Sequence, residues 1–222
     1  MALPVLRPDT SFRAGDFTPV ATIGRFAFGM FAYPGVGATN MPDFIAYAAA
    51  HPGSLNYASA NATEQMAAMH FLRAAHVDMV RVPYKGAAQA VPDLLAGRVH
   101  VYFGPLVAGL QHARDGKLAL LATFLPARTA LAPEVPTLAE AGLPGVSVQS
   151  WQMVVAPART PQPVIERLSA AINAALADPA VRKQLEDQGL FVQGSTPQEL
   201  ARVLDEGSRE WSAIAPELAL VR

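Results

Sequence analysis

Two stretches decide the fold, Asn56-Tyr57-Ala58-Ser59-Ala60-Asn61-Ala62-Thr63 and Val82-Pro83-Tyr84-Lys85-Gly86-Ala87-Ala88. Each follows a short strand-forming run and opens a helix, the first with Asn61 and Glu64 in the spacing of a capping box. Strand, polar loop and helix in repeated succession predict a parallel, helix-covered α/β sheet. Both loops then fall beyond the carboxyl ends of the strands, where such sheets hold ligands. A helix start leaves backbone N–H groups unpaired at the positive end of its dipole, so two starts side by side form a receptor for a carboxylate. The spacing points to a chain that holds a small anion.

Outward from these loops the same alternation continues. Residues 20–23 and 26–32 read as strands, the second apolar throughout as for a strand buried on both faces, and residues 12–19 read as loop. Asn40 caps a helix with the stripe Phe44, Ile45, Tyr47 and Ala48. Strands are expected at 55–59, 79–82, 99–103 and 118–124, and helices at 61–75, 87–96 and 106–115, the last two ended by Gly97 and Gly116. Thr137 should cap a short helix ended by Gly142, and residues 146–156 a long strand. The remainder reads as helices at 161–176, 179–188 and 196–211, with Val164, Leu168, Ala171 and Ile172 forming a face that needs a sheet to cover it.

The 222 residues suffice for one large or two small domains. A hydrophobic content of 51%, a charged content of 16% and a mean hydropathy of +0.22 exclude a disordered chain. No apolar run approaches the roughly 20 residues of a membrane helix. A net charge of −1 without a basic cluster argues against nucleic acid and against an anionic membrane surface. The absence of cysteine excludes a disulfide scaffold, a zinc–thiolate site and a cysteine nucleophile. Residues 1–8 lack the basic start and apolar stretch of an export signal.

In the first loop Ser59, Asn61 and Thr63, with Ala60 between them, offer hydroxyl, amide and backbone groups to an acid's oxygens, directly or through water. The competing reading is ordinary capping by Asn61 and Thr63. In the second loop Tyr84 offers a ring wall, Lys85 a cation that is otherwise simply solvated, and Gly86 and Ala87 backbone N–H groups that a ligand can approach closely. Trp151 either lines the cleft or belongs to the core. The five histidines lack metal-ligand spacing, and neither metal nor cofactor is expected. A hydrolase would have to combine Ser59 with His70 or His76 and Asp78, without a Gly-x-Ser-x-Gly elbow, so a non-enzymatic chain is expected. A ligand-sensing effector domain is the other alternative, without a basic helical region to serve it.

In chain order, Pro52-Gly53-Ser54-Leu55-Asn56-Tyr57-Ala58-Ser59, Val82-Pro83-Tyr84-Lys85-Gly86, Asp93-Leu94-Leu95-Ala96-Gly97-Arg98-Val99, Gly116-Lys117-Leu118, Val135-Pro136-Thr137-Leu138-Ala139-Glu140-Ala141-Gly142-Leu143-Pro144-Gly145 and Ser150-Trp151 resemble the Bug (TctC-type) receptors of tripartite tricarboxylate transporters. The resemblance runs the length of the chain, and typical members carry a further N-terminal portion. It implies an α/β, type II periplasmic-binding-protein-like fold in which two domains close on a ligand. Residues 27–148 would be domain 2, and residues 1–26 with 149–222 an incomplete domain 1. The missing strands and glycine-rich loop would leave half a binding site and a sheet edge open to a second copy. The implied role is a periplasmic solute receptor that captures a small organic acid and presents it to a membrane permease. The first loop is shorter than the family's usual glycine-bearing version. Gly104 would stand after a strand, where many relatives carry an acidic or amide residue, so selection through a side chain there would be lost.

Overall fold

The computed structural model describes residues 11–148 and 150–220; the segment 1–8 read above for an export signal, and Gln149, lie outside the described residues. In chain order the elements are β1 (Phe17–Phe26), β2 (Phe28–Ala32), α1 (Met41–Ala50), β3 (Asn56–Ser59), α2 (Ala62–Ala75), β4 (Val80–Pro83), α3 (Ala87–Leu95), β5 (Val101–Pro105), α4 (Leu106–Arg114) and β6 (Ala119–Thr123). After a long connection come β7 (Ser150–Pro157), α5 (Gln162–Ala177), α6 (Pro179–Asp187), β8 (Leu190–Val192) and α7 (Pro197–Leu220). The chain is mixed α/β with two sheets, and it divides into two compact units, Ala27–Ser150 and Met1–Phe26 with Trp151–Arg222.

The Ala27–Ser150 unit carries a five-stranded sheet in the order β4-β3-β5-β2-β6. β3 runs parallel to β4 and β5, as the strand–helix alternation predicts, but β2 is antiparallel to both β5 and β6. The expectation of a wholly parallel sheet is corrected here. The apolar run of β2 reported burial on both faces, and all five of its residues are buried, but burial carries no information about direction. Phe44, Phe71, Phe103, Tyr57 and Phe124 make a chain of tilted and edge-on ring contacts with centroids 5.5–6.1 Å apart. Phe31 stacks on Tyr102 at 6.5 Å. Burying each ring stabilises the fold by roughly 1.5–3 kcal/mol.

Three further boundaries depart from expectation. Thr137 and Glu140 do form a reciprocal cap, Glu140 N–H to Thr137 Oγ1 at 3.2 Å and Thr137 N–H to Glu140 Oε2 at 2.9 Å. Only a single turn follows, because Gly142 leaves at φ +93° and Leu143 N–H returns to the Leu138 carbonyl at 2.9 Å. The strand expected from 146 begins at Ser150, since Ser147 and Val148 instead bond the Phe124 carbonyl. Residues 17–19, expected as loop, belong to β1, and Pro19 fits there because the pairing with β8 involves only Gly24, Arg25 and Phe26.

The other unit is a three-stranded sheet in the order β7-β1-β8. Val20, Ala156 and Ile165 form its buried cluster, with Val154 and Ile172 packed against it. α5 therefore turns Ile165 and Ile172 to the sheet, while Val164 and Leu168, expected under it, are 44% and 41% exposed. β8 was not legible in the sequence: it is three residues long, directly after Gly189 at φ +79°.

Candidate functional site

Ser59 ends β3 wholly buried, and its Oγ accepts a 2.8 Å hydrogen bond from Arg81 Nε. Asn61 is the cap of α2: its Oδ1 accepts the Glu64 N–H at 3.0 Å and its Nδ2 donates to Glu64 Oε1 at 3.0 Å. Ala60 N–H donates to Glu64 Oε2 at 2.5 Å, and the Tyr102 hydroxyl donates to Oε1 at 2.9 Å. Glu64 is only 2% exposed. Burial pushes its carboxyl above the ordinary glutamate value, against the hydrogen bonds from Ala60, Tyr102 and Asn61 that favour the charge. Burial and the Glu64 charge together push the Tyr102 phenol up. Among the described residues Thr63 makes no capping bond, so capping accounts for Asn61 but not for Thr63. Among the described residues the backbone N–H groups of Ala62 and Thr63 have no acceptor.

The second loop lies directly beside the first. Ser59 pairs with Pro83, and Tyr84 N–H donates to the Ser59 carbonyl at 3.0 Å. α3 opens from Gly86, and the N–H groups of Gly86, Ala87 and Ala88 likewise have no acceptor among the described residues. Gly86 is extended, at φ 172° and ψ 167°, and a Cβ there would meet nothing within 4 Å. Lys85 is exposed. The Tyr84 hydroxyl donates to Asp93 Oδ2 at 2.8 Å, which commits its ring to α3. Asp93 also pairs with Arg98 at 2.8 Å, and Arg98 and Tyr84 hold its carboxyl below the usual aspartate value.

The structure also exposes what sequence reading missed. Arg81 sits opposite Tyr57 in the β3–β4 register and reaches Ser59. No carboxylate pairs with it among the described residues, so a guanidinium stands next to the first loop without a counter-ion. The available signal was a lone basic residue inside the apolar run Met79-Val80-Arg81-Val82. Gly104, expected after a strand, lies within β5 and is buried. A Cβ at Gly104 would lie 2.1 Å from Tyr102 Cζ, so this glycine makes room for the tyrosine that reaches Glu64. Trp151 belongs to the other unit, at the start of β7, where the Arg25 guanidinium lies 5.8 Å from its ring centre.

The residues a hydrolase would need are not brought together. Ser59 precedes α2, His70 lies in its second half, and His76 and Asp78 follow it, so the helix, roughly 20 Å long by its rise per residue, separates Ser59 from His76 and Asp78. His76 and Asp78 instead line an open groove of about 600 Å³ with Ala48, Pro52, Leu72 and Arg73. Among the described residues no three His, Cys, Asp or Glu side chains converge as a metal site would require. His100 is structural: its Nδ1 accepts the Asn56 backbone N–H at 3.1 Å, and its backbone N–H donates to Asn56 Oδ1 at 3.0 Å.

The chain is 36% identical over 173 residues to the UPF0065 protein in the tcbD-tcbE intergenic region of Pseudomonas sp. (strain P51), covering 77% of this chain and 52% of that protein. It thus spans about half the length of that relative. Among solved structures, a Rhodopseudomonas palustris protein with adipate aligns at a TM-score of 0.83 and 30% identity, covering 90% of this chain and 68% of that one. MatC from the same organism, with bound malate, aligns at 0.83 and 30% identity, covering 96% and 75%. The family model described as "Tripartite tricarboxylate transporter family receptor", TctC, matches residues 1–220, and the chain belongs to that family.

Proposed function

We propose that this chain is a solute-binding receptor that captures a small organic acid by its carboxylate. One observation carries the reading: the starts of α2 and α3 stand side by side at the carboxyl ends of β3 and β4, and among the described residues the N–H groups of Ala62, Thr63, Gly86, Ala87 and Ala88 have no acceptor. Arg81, pinned to Ser59 and without a carboxylate partner among the described residues, adds a cation beside them. Ser59, Ala60, Asn61 and Thr63 then shape one side of the anion site, and Tyr84, Lys85, Gly86 and Ala87 the other. Asn61 holds the loop, and backbone donors do the gripping. One similar structure with adipate and another with bound malate support a small carboxylic acid as the ligand class.

Family membership supports a periplasmic location, delivery of the acid to a membrane permease, and a non-enzymatic role. Among the described residues no helix is long and apolar enough to cross a membrane. β7 is an outer strand of its sheet, and a second copy pairing along it would extend that sheet. A monomeric mass in dilute solution would count against that pairing.

Native mass spectrometry with malate, adipate and the uncharged diamide of adipate tests the receptor reading. Retention of the acids without the diamide is the expected result. Equal retention of all three, or of none by the folded chain, would overturn it.

A further inference from the structure

Glu64 is a buried carboxylate that anion capture by α2 leaves unexplained. It stands in the first turn of α2, the same turn that presents the unused N–H groups of Ala62 and Thr63. Among the described residues its oxygens accept only from neutral donors, Ala60 N–H, Asn61 Nδ2 and the Tyr102 hydroxyl. The strands on which α2 packs, β5 and β3, carry Tyr102 and Tyr57 as their titratable groups, and β4 beside β3 carries Arg81. Of these only Tyr102 touches it, and Arg81 is turned to Ser59. The contact exists because Gly104 is bare, which lets the phenol reach along β5 to α2.

A phenol hydroxyl both donates and accepts. With Glu64 ionised, Tyr102 donates to Oε1; with Oε1 protonated, Glu64 donates to the Tyr102 oxygen while Oε2 still accepts the Ala60 N–H. The carboxyl can therefore be ionised or protonated with its Ala60 and Asn61 bonds kept, the phenol hydrogen turning away from Glu64 in the protonated form. A ligand carboxylate on the same helix start brings a like charge close to Glu64, which favours its neutral form. We propose that the α2 site takes its ligand as a carboxylate together with one proton, and that Glu64 is the group that accepts the proton. This rests on the receptor reading above. Burial raises the Glu64 carboxyl in the same direction as a ligand's charge would.

The test is calorimetric titration of malate into the full chain between about pH 5.5 and pH 8, in buffers of different ionisation enthalpy. The dependence of the binding enthalpy on the buffer counts the protons taken up. The wild type should take up more protons than Glu64→Gln, whose remaining uptake is that of malate itself. Its affinity should also fall more steeply with pH, by up to about tenfold per pH unit. Tyr102→Phe removes a donor to the ionised form and should move the uptake to higher pH. Equal uptake by the wild type and Glu64→Gln with binding retained overturns the proton linkage alone. No malate binding by the wild type at any pH removes the receptor reading with it.

Discussion

A Cβ added at Gly86 would meet nothing within 4 Å, whereas one at Gly104 would lie 2.1 Å from the Tyr102 ring. Folding makes no demand for glycine at 86, where the backbone is extended, so any demand comes from what approaches the loop. Gly86→Ala should leave the unfolding midpoint in urea unchanged while weakening malate binding about tenfold, the worth of roughly one hydrogen bond. Gly104→Ala should do the reverse in origin: it must displace Tyr102 and should lower stability by about 1–3 kcal/mol, read from the same urea titration. Arg81→Met should weaken malate binding roughly 10- to 100-fold, as for loss of a charge-assisted bond, and Lys85→Met far less. Equal losses in the two variants would show that Arg81 and Lys85 share the cationic role. The polar loop residues were legible because they interrupt apolar runs. Arg81 was not recognised, because its destination depends on the register that sets it opposite Tyr57.

At the scale of elements, caps were the most legible features, since a cap needs only neighbours in the chain. Asn40 and Asn61 both cap as their spacing with Asp43 and Glu64 indicates, the former accepting the Asp43 N–H at 2.9 Å. Asn61→Ala should cost about 1 kcal/mol of stability, visible in thermal unfolding. α2 ends at His76 in the left-handed region, φ +53°, a conformation that a side chain disfavours. His76→Gly should raise stability by up to about 1 kcal/mol, and a loss instead would show that the imidazole contributes more than the backbone costs. Faces were less legible than ends. α5 has apolar residues on more than one side, and only packing on β1 decided that Ile165 goes in and Leu168 stays out. The direction of β2 was equally hidden, because an apolar run looks the same from either end.

For the whole molecule, the carboxyls with shifted titration act in opposite senses. Asp93 is held below its ordinary value by Arg98 and Tyr84, Glu140 by the Thr137 N–H and then Arg128, and Glu199 by the Thr196 N–H and hydroxyl. A lowered folded value contributes stability above the unfolded value, and that contribution is lost as pH falls through the folded one. Glu64, raised by burial, contributes stability below the ordinary glutamate range and loses it as pH rises. The melting temperature should therefore drop as pH falls below about 4, and Glu140→Gln should blunt the drop. A wild type equally stable at about pH 3 and pH 7 would contradict this. The sequence by itself determined the succession of strands and helices, the Asn caps and the two polar loops at strand ends. Periodicity and capping are written in residues a few positions apart. Only the tertiary structure decided the reversed β2, the Arg81–Ser59 pair and the reach of Tyr102 over Gly104 to Glu64. These contacts join residues 22 and 38 positions apart, and whether they meet depends on strand order and register, which local pattern does not encode.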